Sequence, residues 1–435
     1  MTKKQFLFAI QRGLGRGILA VKENPQKFRK LVLKNCTKNF CFDTQCEGVR
    51  AWYTYQMISC YEDTDNFVKI VADKLLKTKS DGGWQISYLS KLLVYFAKDG
   101  SAEATNALWT KYNQLYQILS NRQRAPKSNS YFAERDDFES LCIKLSYDFD
   151  IYRRIAKDIG RLYLTKSFYN GFFASLYSCN ERKYTALLKK EAKNCPEIKR
   201  YIEVELAEKR RFEEERDKRR NNPSPLSTSS GYMLSRRLER EDISVVEEYA
   251  NRYLNETDKK KRAEALHAFV CCPFPFEPTP IIEDAHSEEE ELRDMAFRVL
   301  ERNRHPLIRE FALQYLEVHF ENALHILIRN YLPEDEEWLY RFISELEIDY
   351  MENSNWHSYH FDIQDLFDKK DGIKNPPKRF LPLIYEQTLC SCCRMTTLKL
   401  MGKRRMLTPE ILDECLYDSD EDIRKYAEKK LKNRK

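Results

Sequence analysis

The chain has 435 residues and carries 74 basic and 68 acidic side chains, for a formal net charge of +6. This length allows two or more ordinary domains, or one long repeat array. No stretch approaches the run of about 18 uncharged apolar residues that a membrane-spanning helix needs, so the sequence excludes a spanning segment and predicts no membrane partner.

Glycine and proline are scarce, and this scarcity favours helices over hairpins. The chain contains only 12 glycines and 15 prolines, against average usage of about 7% and 5%. The segments most like hairpin turns, at residues 81–83 and 371–372, lie between helical patterns. We therefore expect an all-α fold.

The cysteines indicate a reducing compartment. There are 13 of them, an odd number, and they are scattered through helical patterns. The apolar stretch from Phe6 to Ile10 is too short for the core of a secretion signal. The sequence therefore predicts free thiols and a cytoplasmic protein.

The first predicted domain covers residues 1–205 and is basic. Residues 1–200 hold 35 Lys and Arg against 20 Asp and Glu, whereas the rest of the chain holds 39 against 48. Apolar spacing predicts helices near 3–22, 25–36, 44–60, 64–78, 84–98, 101–120, 132–147, 149–165, 181–192 and 195–220. Lysines such as Lys30, Lys34 and Lys38 are suited to phosphates, so nucleic acid remains a possible partner of this half.

The segment from residue 42 to residue 53 concentrates polar and aromatic side chains. Thr44 and Glu47 have the spacing of a capping box, which accounts for Glu47 without any chemistry. Arg50, Trp52 and Tyr53 combine a guanidinium with two aromatic rings, and such a set can line a concave groove. These three residues are candidates for a partner-binding surface.

The clearest break in the chain is predicted at residues 206–240. From Ala207 to Arg220 nearly every side chain is charged, with opposite charges three and four residues apart, which predicts a solvated helix extension. The Asn-, Pro- and Ser-rich stretch that continues to Gly231 has little apolar surface to bury, so we expect a flexible linker there. The second predicted domain covers residues 241–435.

A nine-residue spelling recurs in the second domain: an aliphatic residue, Arg, two residues, Ala, three residues and an apolar residue. It occurs at residues 292–300, 308–316 and 423–431, and a fourth copy around Arg262, Ala265 and Phe269 has Lys261 in place of the aliphatic residue. The aliphatic, Ala and final apolar positions share one helix face, and the small Ala allows a neighbouring helix to approach closely. The Arg lies off this face, where it can reach an acid or a carbonyl in the turn of the adjacent repeat.

Helices in this domain are predicted from the same spacing. They fall near 241–254, 257–271, 277–285, 287–303, 306–318, 321–331, 334–347, 362–369, 378–400, 408–416 and 419–432.

The spelling resembles the second helix of a HEAT repeat, in the armadillo and HEAT class of α-solenoids. The resemblance is strongest over residues 255–316 and 405–431. It implies an irregular α-solenoid of stacked antiparallel helix pairs, whose curved surface grips other proteins. Some HEAT-like proteins are DNA glycosylases, but their catalytic residues cannot be matched here. HEAT-like hydroxylases bind iron through His-Glu pairs, and none of the seven histidines of this chain is followed by Glu.

Three other groups of residues have a chemical and a structural interpretation. His357, His360, Asp362 and Asp365 include metal-ligand types, but match no known spacing and suit the packing of a loop between repeats. Cys271-Cys272, Cys390 with Cys392 and Cys393, and Cys36, Cys41 and Cys46 lack the paired spacing of structural zinc. Gly13, Gly15 and Gly17 lie inside a helical pattern, where they favour close helix contact or a kink over phosphate binding.

The sequence therefore predicts a non-catalytic scaffold with a protein partner, and no cofactor, metal or catalytic residue is assigned. The candidate partner-binding residues are Arg50, Trp52, Tyr53, Arg293 and Arg309, although Arg293 and Arg309 equally suit a structural contact with a turn. The alternative function is nucleic-acid binding or DNA processing through the basic N-terminal half. The oligomeric state stays open.

Overall fold

The computed structural model describes residues 1–80, 84–123, 130–171, 173–221, 228–317, 320–346, 355–367 and 372–433. Within these ranges the regular structure is helical, without a strand, which confirms the predicted all-α class. The turn-like residues 81–83 and Asp371 lie outside the described ranges. No helix in the described ranges has the length and apolar character that crossing a bilayer requires.

The described residues of the first half of the chain form twelve α-helices in succession. They are α1 Lys3–Arg12, α2 Arg16–Glu23, α3 Pro25–Asn35, α4 Thr44–Glu47, α5 Ala51–Ile58, α6 Thr64–Lys77, α7 Gln85–Lys98, α8 Ala102–Asn121, α9 Ser130–Leu145, α10 Phe149–Thr165, α11 Ala174–Glu191 and α12 Pro196–Asn221. The predicted helices at 3–22 and 44–60 are each divided into two. Gly13 begins the first division, with a left-handed φ of 72° after α1.

The described residues of the second half form the remaining helices. They are α13 Thr228–Leu238, α14 Ile243–Asn255, α15 Lys259–Leu266, α16 Thr279–Asp284, α17 Glu290–Leu300, α18 Pro306–Tyr315, α19 Phe320–Arg329, α20 Glu336–Glu345, α21 Asn355–Asp365, α22 Phe380–Gln387, α23 Ser391–Lys403, α24 Pro409–Cys415 and α25 Glu421–Lys432. The last two helices are capped by side chains, because Thr408 Oγ1 accepts from Ile411 N and Asp420 Oδ1 accepts from Ile423 N.

The chain divides into two compact units. The N-terminal unit comprises Met1–Lys218, Leu389–Cys392 and Leu407–Lys435, and the C-terminal unit comprises Arg219–Thr388 and Cys393–Met406. The first division falls within the predicted break, but the end of the chain differs from the predicted domain 241–435. Helices α24 and α25 belong to the N-terminal unit because their turns bond to its first residues. Arg16 Nε pairs with Glu414 Oε1 at 2.8 Å, and Ser419 N donates to Gly13 O at 2.9 Å.

Part of the predicted linker is helical. Helix α12 runs through the charged stretch as expected, and residues 222–227 lie outside the described ranges. From Thr228 onward, however, the chain forms α13 instead of the predicted flexible segment. The reason is burial: Leu238 is 2% exposed, and Ser235 Oγ accepts from the backbone N–H groups of Cys271 and Cys272 at 2.7 and 2.9 Å.

The core of the N-terminal unit is built around α7. This helix packs against α5, α6, α8 and α9. Tyrosines fill gaps between the helices and bond through their hydroxyls. Tyr88 is fully buried and donates to Cys36 O at 2.8 Å, with Thr54 Oγ1 2.9 Å away.

The repeated spelling marks buried faces in three copies, although the final apolar residues Leu316 and Leu431 are only partly buried. Within the C-terminal unit Leu292, Ala296 and Leu300 are at most 1% exposed, and Ile308 and Ala312 are fully buried. In the copy that belongs to the N-terminal unit, Ile423 and Ala427 are fully buried as well.

The fourth copy departs from the predicted face. Ala265 is only partly buried, whereas Ala263 and Leu266 are fully buried. The reason is that α15 ends at Leu266 and the chain tightens into a 3₁₀ turn over His267–Phe269.

Neighbouring helices of the C-terminal unit pack in pairs. Helix α16 packs on α17, and α18 packs on α19. Contacts between pairs join α15 to α17, α16 to α18 and α19 to α21.

Candidate functional site

A cleft in the C-terminal unit is lined by one face from each of three helices. Helix α17 and the turn after it contribute Asp294, Phe297, Arg298, Glu301 and Arg302, α19 contributes Glu321, Asn322 and His325, and α21 contributes His357, Ser358, Phe361 and Asp362. Within each set the spacings of one, three and four residues keep the side chains on one side of their helix. The cleft has a volume of about 680 Å³, within the range of about 300–1,000 Å³ that ligand sites occupy.

A histidine–carboxylate pair links two walls of the cleft. His325 Nδ1 and Asp362 Oδ2 are 2.5 Å apart, and their side chains are 17% and 15% exposed. Burial lowers the pKa of His325, but the hydrogen bond to Asp362 and the negative charges of Asp362 and Glu301 outweigh burial and raise the pKa above 6.5. The pair therefore favours an imidazolium held in a fixed orientation.

Arg329 neutralises the carboxylates behind this pair. Its Nη2 donates to Asp365, and its Nε lies 3.8 Å from Asp362 Oδ1. Burial raises the pKa of Asp365, and the positive charge of Arg329 opposes that rise. The carboxylates of Asp362 and Asp365 are thus occupied by protein cations.

Glu301 is a partly buried carboxyl group in the same cleft. Burial raises its pKa, whereas the positive charges of His325, Arg302 and Arg298 act in the opposite direction. Glu301 is half-buried in the turn that ends α17. A carboxyl group in this setting can accept a hydrogen bond from a cationic ligand.

The four residues with metal-ligand side chains do not share one site. His357 and Asp362 line the cleft, whereas His360 is fully buried and packs edge-to-face on Trp356, with ring centroids 5.4 Å apart. Asp365 is held by Arg329. His357 Nε2 lies 3.2 Å from Cys393 Sγ, a contact that spacing alone did not indicate.

Arg293 and Arg309 make the turn contacts that the sequence allowed as their structural interpretation. Arg293 Nη1 donates to Ser287 O at 3.2 Å. Arg309 holds Asp335 through two hydrogen bonds of 2.7 and 2.8 Å, and its side chain is 15% exposed. The guanidinium of Arg309 is therefore occupied by its own chain. Ser287 and Glu290 have the spacing of a capping box. This box does not form, because α17 begins at Glu290 and its N-cap residue is Glu289.

Arg50 and Tyr53 lie inside the N-terminal unit. The Arg50 guanidinium is 5% exposed and donates to Gln11 O at 2.7 Å, to Leu389 O at 2.6 Å and to Glu47 Oε2 at 3.1 Å. Tyr53 is 2% exposed, and its hydroxyl donates to Leu14 O at 2.6 Å. The space beside them is a cavity of about 10 Å³, room for about one water molecule. Both residues therefore support the core and do not form a partner-binding surface.

Trp52, the third candidate of that segment, is covered by another side chain of its unit. The guanidinium carbon of Arg424 lies 3.6 Å from the centre of the Trp52 ring. Arg424 also donates to Asp418 O at 2.7 Å. The indole face is therefore occupied by a cation–π contact and is not available to stack a base.

The glycines near the N-terminus allow close contact, as one of their interpretations predicted. A Cβ atom on Gly15 would lie 1.8 Å from Glu414 O, and one on Gly17 would lie 2.2 Å from the Tyr53 hydroxyl. No larger residue fits at either position without a shift of the backbone or of a buried ring.

The 13 cysteines are thiols in this structure. Burial raises the pKa of Cys36 to about 12. Cys46 and Cys179 are exposed, whereas Cys142 and Cys415 are buried. Most of the buried thiols act as small apolar side chains.

The charged face of α17 was missed as part of a site, although its sequence carries a signal. Asp294, Arg298, Glu301 and Arg302 follow one another at spacings of four, three and one residues. His325 and Glu321 carry no such signal, because only the packing of α19 against α21 brings them to this face.

Comparisons with known proteins identify no family for the chain. No family model matches it, and no curated protein matches it. A solved structure of an engineered protein aligns with 98% of this chain and 93% of its own chain, at 12% sequence identity and a TM-score of 0.25. A TM-score this low carries no argument about the fold.

Proposed function

We propose that the protein is a binding scaffold of the HEAT-like α-solenoid type, and that its C-terminal unit holds a protein partner in the cleft between α17, α19 and α21. The observation that carries the proposal is the cleft itself. It is concave, has a volume of about 680 Å³ and is lined mainly by charged and polar side chains from three helices. Exposed Phe361 adds an apolar contact at its wall. A concave surface with charged walls can orient and select a partner through charge complementarity.

The helix contacts of the C-terminal unit support the solenoid part of the proposal. Stacked helix pairs should show contacts within each pair and between alternate helices of neighbouring pairs. The contacts of α16 with α17, of α18 with α19 and of α19 with α21 fit this expectation. The cleft is lined by alternate helices of the chain, as one layer of such a stack would be.

Two of the four arginines of the repeated spelling give a second line of support, whereas Arg293 and Arg424 donate to backbone carbonyls six residues earlier. Arg262 Nε donates to Asp284 Oδ2 at 2.6 Å, and Arg309 donates to Asp335 at 2.7 and 2.8 Å. The two acids follow their arginines by 22 and 26 residues, in the next part of the chain. A contact repeated at similar sequence separation is what successive repeats of one design require.

The test is a capture experiment with two matched substitutions in the full-length protein. Ser358→Arg places a large charged side chain in the cleft, whereas Ser344→Arg makes the same change at an exposed position of α20 away from it. We expect proteins bound from native cell extract by the wild type and by Ser344→Arg to be lost with Ser358→Arg. Equal recovery with both variants, or no enriched protein at all, would refute the proposal.

Nucleic-acid binding by the N-terminal unit is a second candidate function, favoured by one observation. Lys27, Lys30 and Lys34 are all exposed and lie three and four residues apart along α3, followed by exposed Lys38. A row of this kind can contact successive phosphates. The buried state of Tyr53 and the covered ring of Trp52 remove the aromatic stacking that the segment at 42–53 was expected to add.

A salt titration tests this second candidate. Polarisation of a labelled 20-base-pair duplex should report an affinity that falls steeply with salt, with a slope of about −0.9 per phosphate contact. Lys30→Gln with Lys34→Gln should reduce the slope by about two, whereas Lys69→Gln with Lys74→Gln on α6 should not. Absence of duplex binding at low salt would exclude this function.

A further inference from the structure

Two arginines in the cleft, like Arg341 on α20, lack the carboxylate partner that several other arginines of the C-terminal unit have. Four arginines of this unit, Arg262, Arg309, Arg329 and Arg379, each hold a carboxylate. Arg298 and Arg302 line the cleft and are exposed, and no carboxylate among the described residues lies at ion-pair distance from either guanidinium. Arg298 lies on α17 and Arg302 in the turn that follows it, and their like charges repel each other where both line the cleft.

An anion between these guanidiniums would relieve the repulsion. Each guanidinium offers parallel donors that fit a carboxylate or a phosphoryl group in two-point contact. Asn322 and Ser358 supply neutral hydrogen-bonding groups nearby in the same cleft. One part of the cleft therefore suits a single anionic group.

Another part of the cleft suits a cation. Asp294, Glu301 and Glu321 line it, and no cation among the described residues lies at ion-pair distance from them. The positive charges of His325, Arg302 and Arg298 act on Glu301 from further away. Asp362 is different, because His325 and Arg329 already neutralise it. The charges of the cleft that lack a direct ion pair are thus three carboxyl groups and two guanidiniums.

We propose that the cleft binds a short peptide segment of a protein partner that carries one acidic and one basic side chain about one helical turn apart. The acidic side chain contacts Arg298 and Arg302, and the basic side chain contacts Glu301 and Glu321. This inference rests on the proposed function, because it specifies the chemistry of the partner at the same site.

Charge complementarity disfavours the other occupants. A polyanion such as nucleic acid would bring further phosphates against Asp294, Glu301 and Glu321. A purely basic segment would meet Arg298 and Arg302. An apolar segment would find only the rings of Phe297 and Phe361 among charged neighbours, and the former is 3% exposed.

The experiment uses the full-length protein and four fluorescein-labelled probes. Three are 12-residue alanine-based helical peptides: one with Glu and Lys four residues apart, one with two Glu at the same positions and one with two Lys. The fourth is a 12-nucleotide single strand of DNA. Fluorescence polarisation at moderate salt should give tighter binding of the Glu–Lys peptide than of the other three probes, by about tenfold.

Two variants assign the two halves of the contact, and a third is the control. Arg298→Gln with Arg302→Gln should weaken the Glu–Lys peptide about tenfold and should abolish its advantage over the Lys–Lys peptide. Glu321→Gln should weaken the Glu–Lys peptide severalfold and leave the Glu–Glu peptide no weaker. Arg341→Gln, at an exposed position of α20 outside the cleft, should change nothing.

The outcomes separate this inference from the proposed function. If the Glu–Glu peptide or the DNA binds tightest, with Arg298→Gln and Arg302→Gln reducing that binding, the cleft binds a ligand but the inferred partner chemistry is wrong. If no probe responds to any cleft substitution, the inference fails. Failure of the proposed function itself is read from the Ser358→Arg capture experiment, which uses no peptide.

Discussion

Arg309 and Asp335 form a two-pronged ion pair in which Nη1 contacts Oδ2 at 2.8 Å and Nη2 contacts Oδ1 at 2.7 Å. The carboxylate also accepts from Leu332 N and Trp338 Nε1, and the guanidinium donates to Asn330 O. Asp335 is 5% exposed as a residue, so the pair is screened from water. One arginine of the repeated spelling therefore organises the turn between α19 and α20.

Removing this arginine should destabilise the C-terminal unit. Arg309→Ala should lower the free energy of unfolding by about 2 kcal/mol, since hydrogen bonds to charged groups contribute about 1.5–3 kcal/mol. Arg309→Lys should lose part of this amount, because an ammonium keeps the charge but not the fork. Urea denaturation followed by tryptophan fluorescence measures both, with Arg341→Ala as the exposed control. A loss with Arg309→Ala no larger than with Arg341→Ala would contradict the assignment.

A charge at the small position of the spelling should be far more damaging than one at the next residue. Ala312 is fully buried on α18, whereas Leu313 is 47% exposed. Ala312→Arg should cost several kcal/mol, because an unpaired interior charge loses its hydration. Leu313→Arg should cost less than about 1 kcal/mol. Thermal melts of the two variants that shift by the same amount would show that the buried face has been assigned incorrectly.

The class of fold and most of the buried helix faces could be predicted from the sequence, because both depend on the local spacing of apolar residues. Ala296 and Ala312 are fully buried where the repeated spelling expected them. The spelling also anticipated that an arginine such as Arg309 would reach a turn. What it could not supply was the partner of each contact: Asp335 lies 26 residues further on, and nothing local distinguishes it from Glu334 or Glu336.

The candidate site was less accessible to sequence reasoning for the same reason. The polar groups of Arg50 and Tyr53 predict a position on a binding surface. Inside the protein, however, the Arg50 guanidinium donates to Gln11 O and the Tyr53 hydroxyl donates to Leu14 O, so both side chains can be buried. The cleft, by contrast, needs three helices separated in the chain. Composition identifies side chains that can bind, and only tertiary packing decides whether they face a partner or the core.

A buried carboxyl group should make the N-terminal unit sensitive to pH. Glu205 on α12 is 1% exposed; its Oε1 accepts from the Tyr163 hydroxyl, and its Oε2 has no hydrogen-bond partner among the described residues. Burial raises its pKa to about 7; the hydrogen bond from Tyr163 opposes that rise, and the charges of Glu139 and Glu208 add to it. The folded state therefore holds this proton more tightly than the unfolded chain does.

The sign of the effect follows from linkage. A raised carboxyl pKa stabilises the fold fully below the ordinary value of 4.5, and this stability is lost as the pH rises through about 7. Denaturation at pH 5 and pH 8 should reveal a decrease of up to about 3 kcal/mol from this group. Glu205→Gln should remove most of the decrease, whereas Glu203→Gln, exposed on the same helix, should retain it. Identical pH profiles for wild type and Glu205→Gln would show that the carboxyl group is already ionised.

The cleft histidine should titrate according to its carboxylate partner. Asp362→Asn removes the charge that raises the pKa of His325, so burial is less strongly opposed and the pKa should fall. Nitrogen-detected NMR titration of the histidine ring measures the shift directly. Asp294→Asn, on the facing helix, should leave the titration nearly unchanged. An unaltered midpoint in the Asp362→Asn protein would mean that the pair does not form in solution.

The return of α24 and α25 to the N-terminal unit has a consequence for how the protein is made. Glu414 and Ser419 complete contacts with Arg16 and Gly13, roughly four hundred residues earlier. During synthesis on the ribosome, the N-terminal unit therefore cannot complete its fold until the whole C-terminal unit has been translated. The unit whose synthesis begins first is thus the last to have all its residues. The C-terminal unit can fold while the N-terminal unit is incomplete and can still bind chaperones.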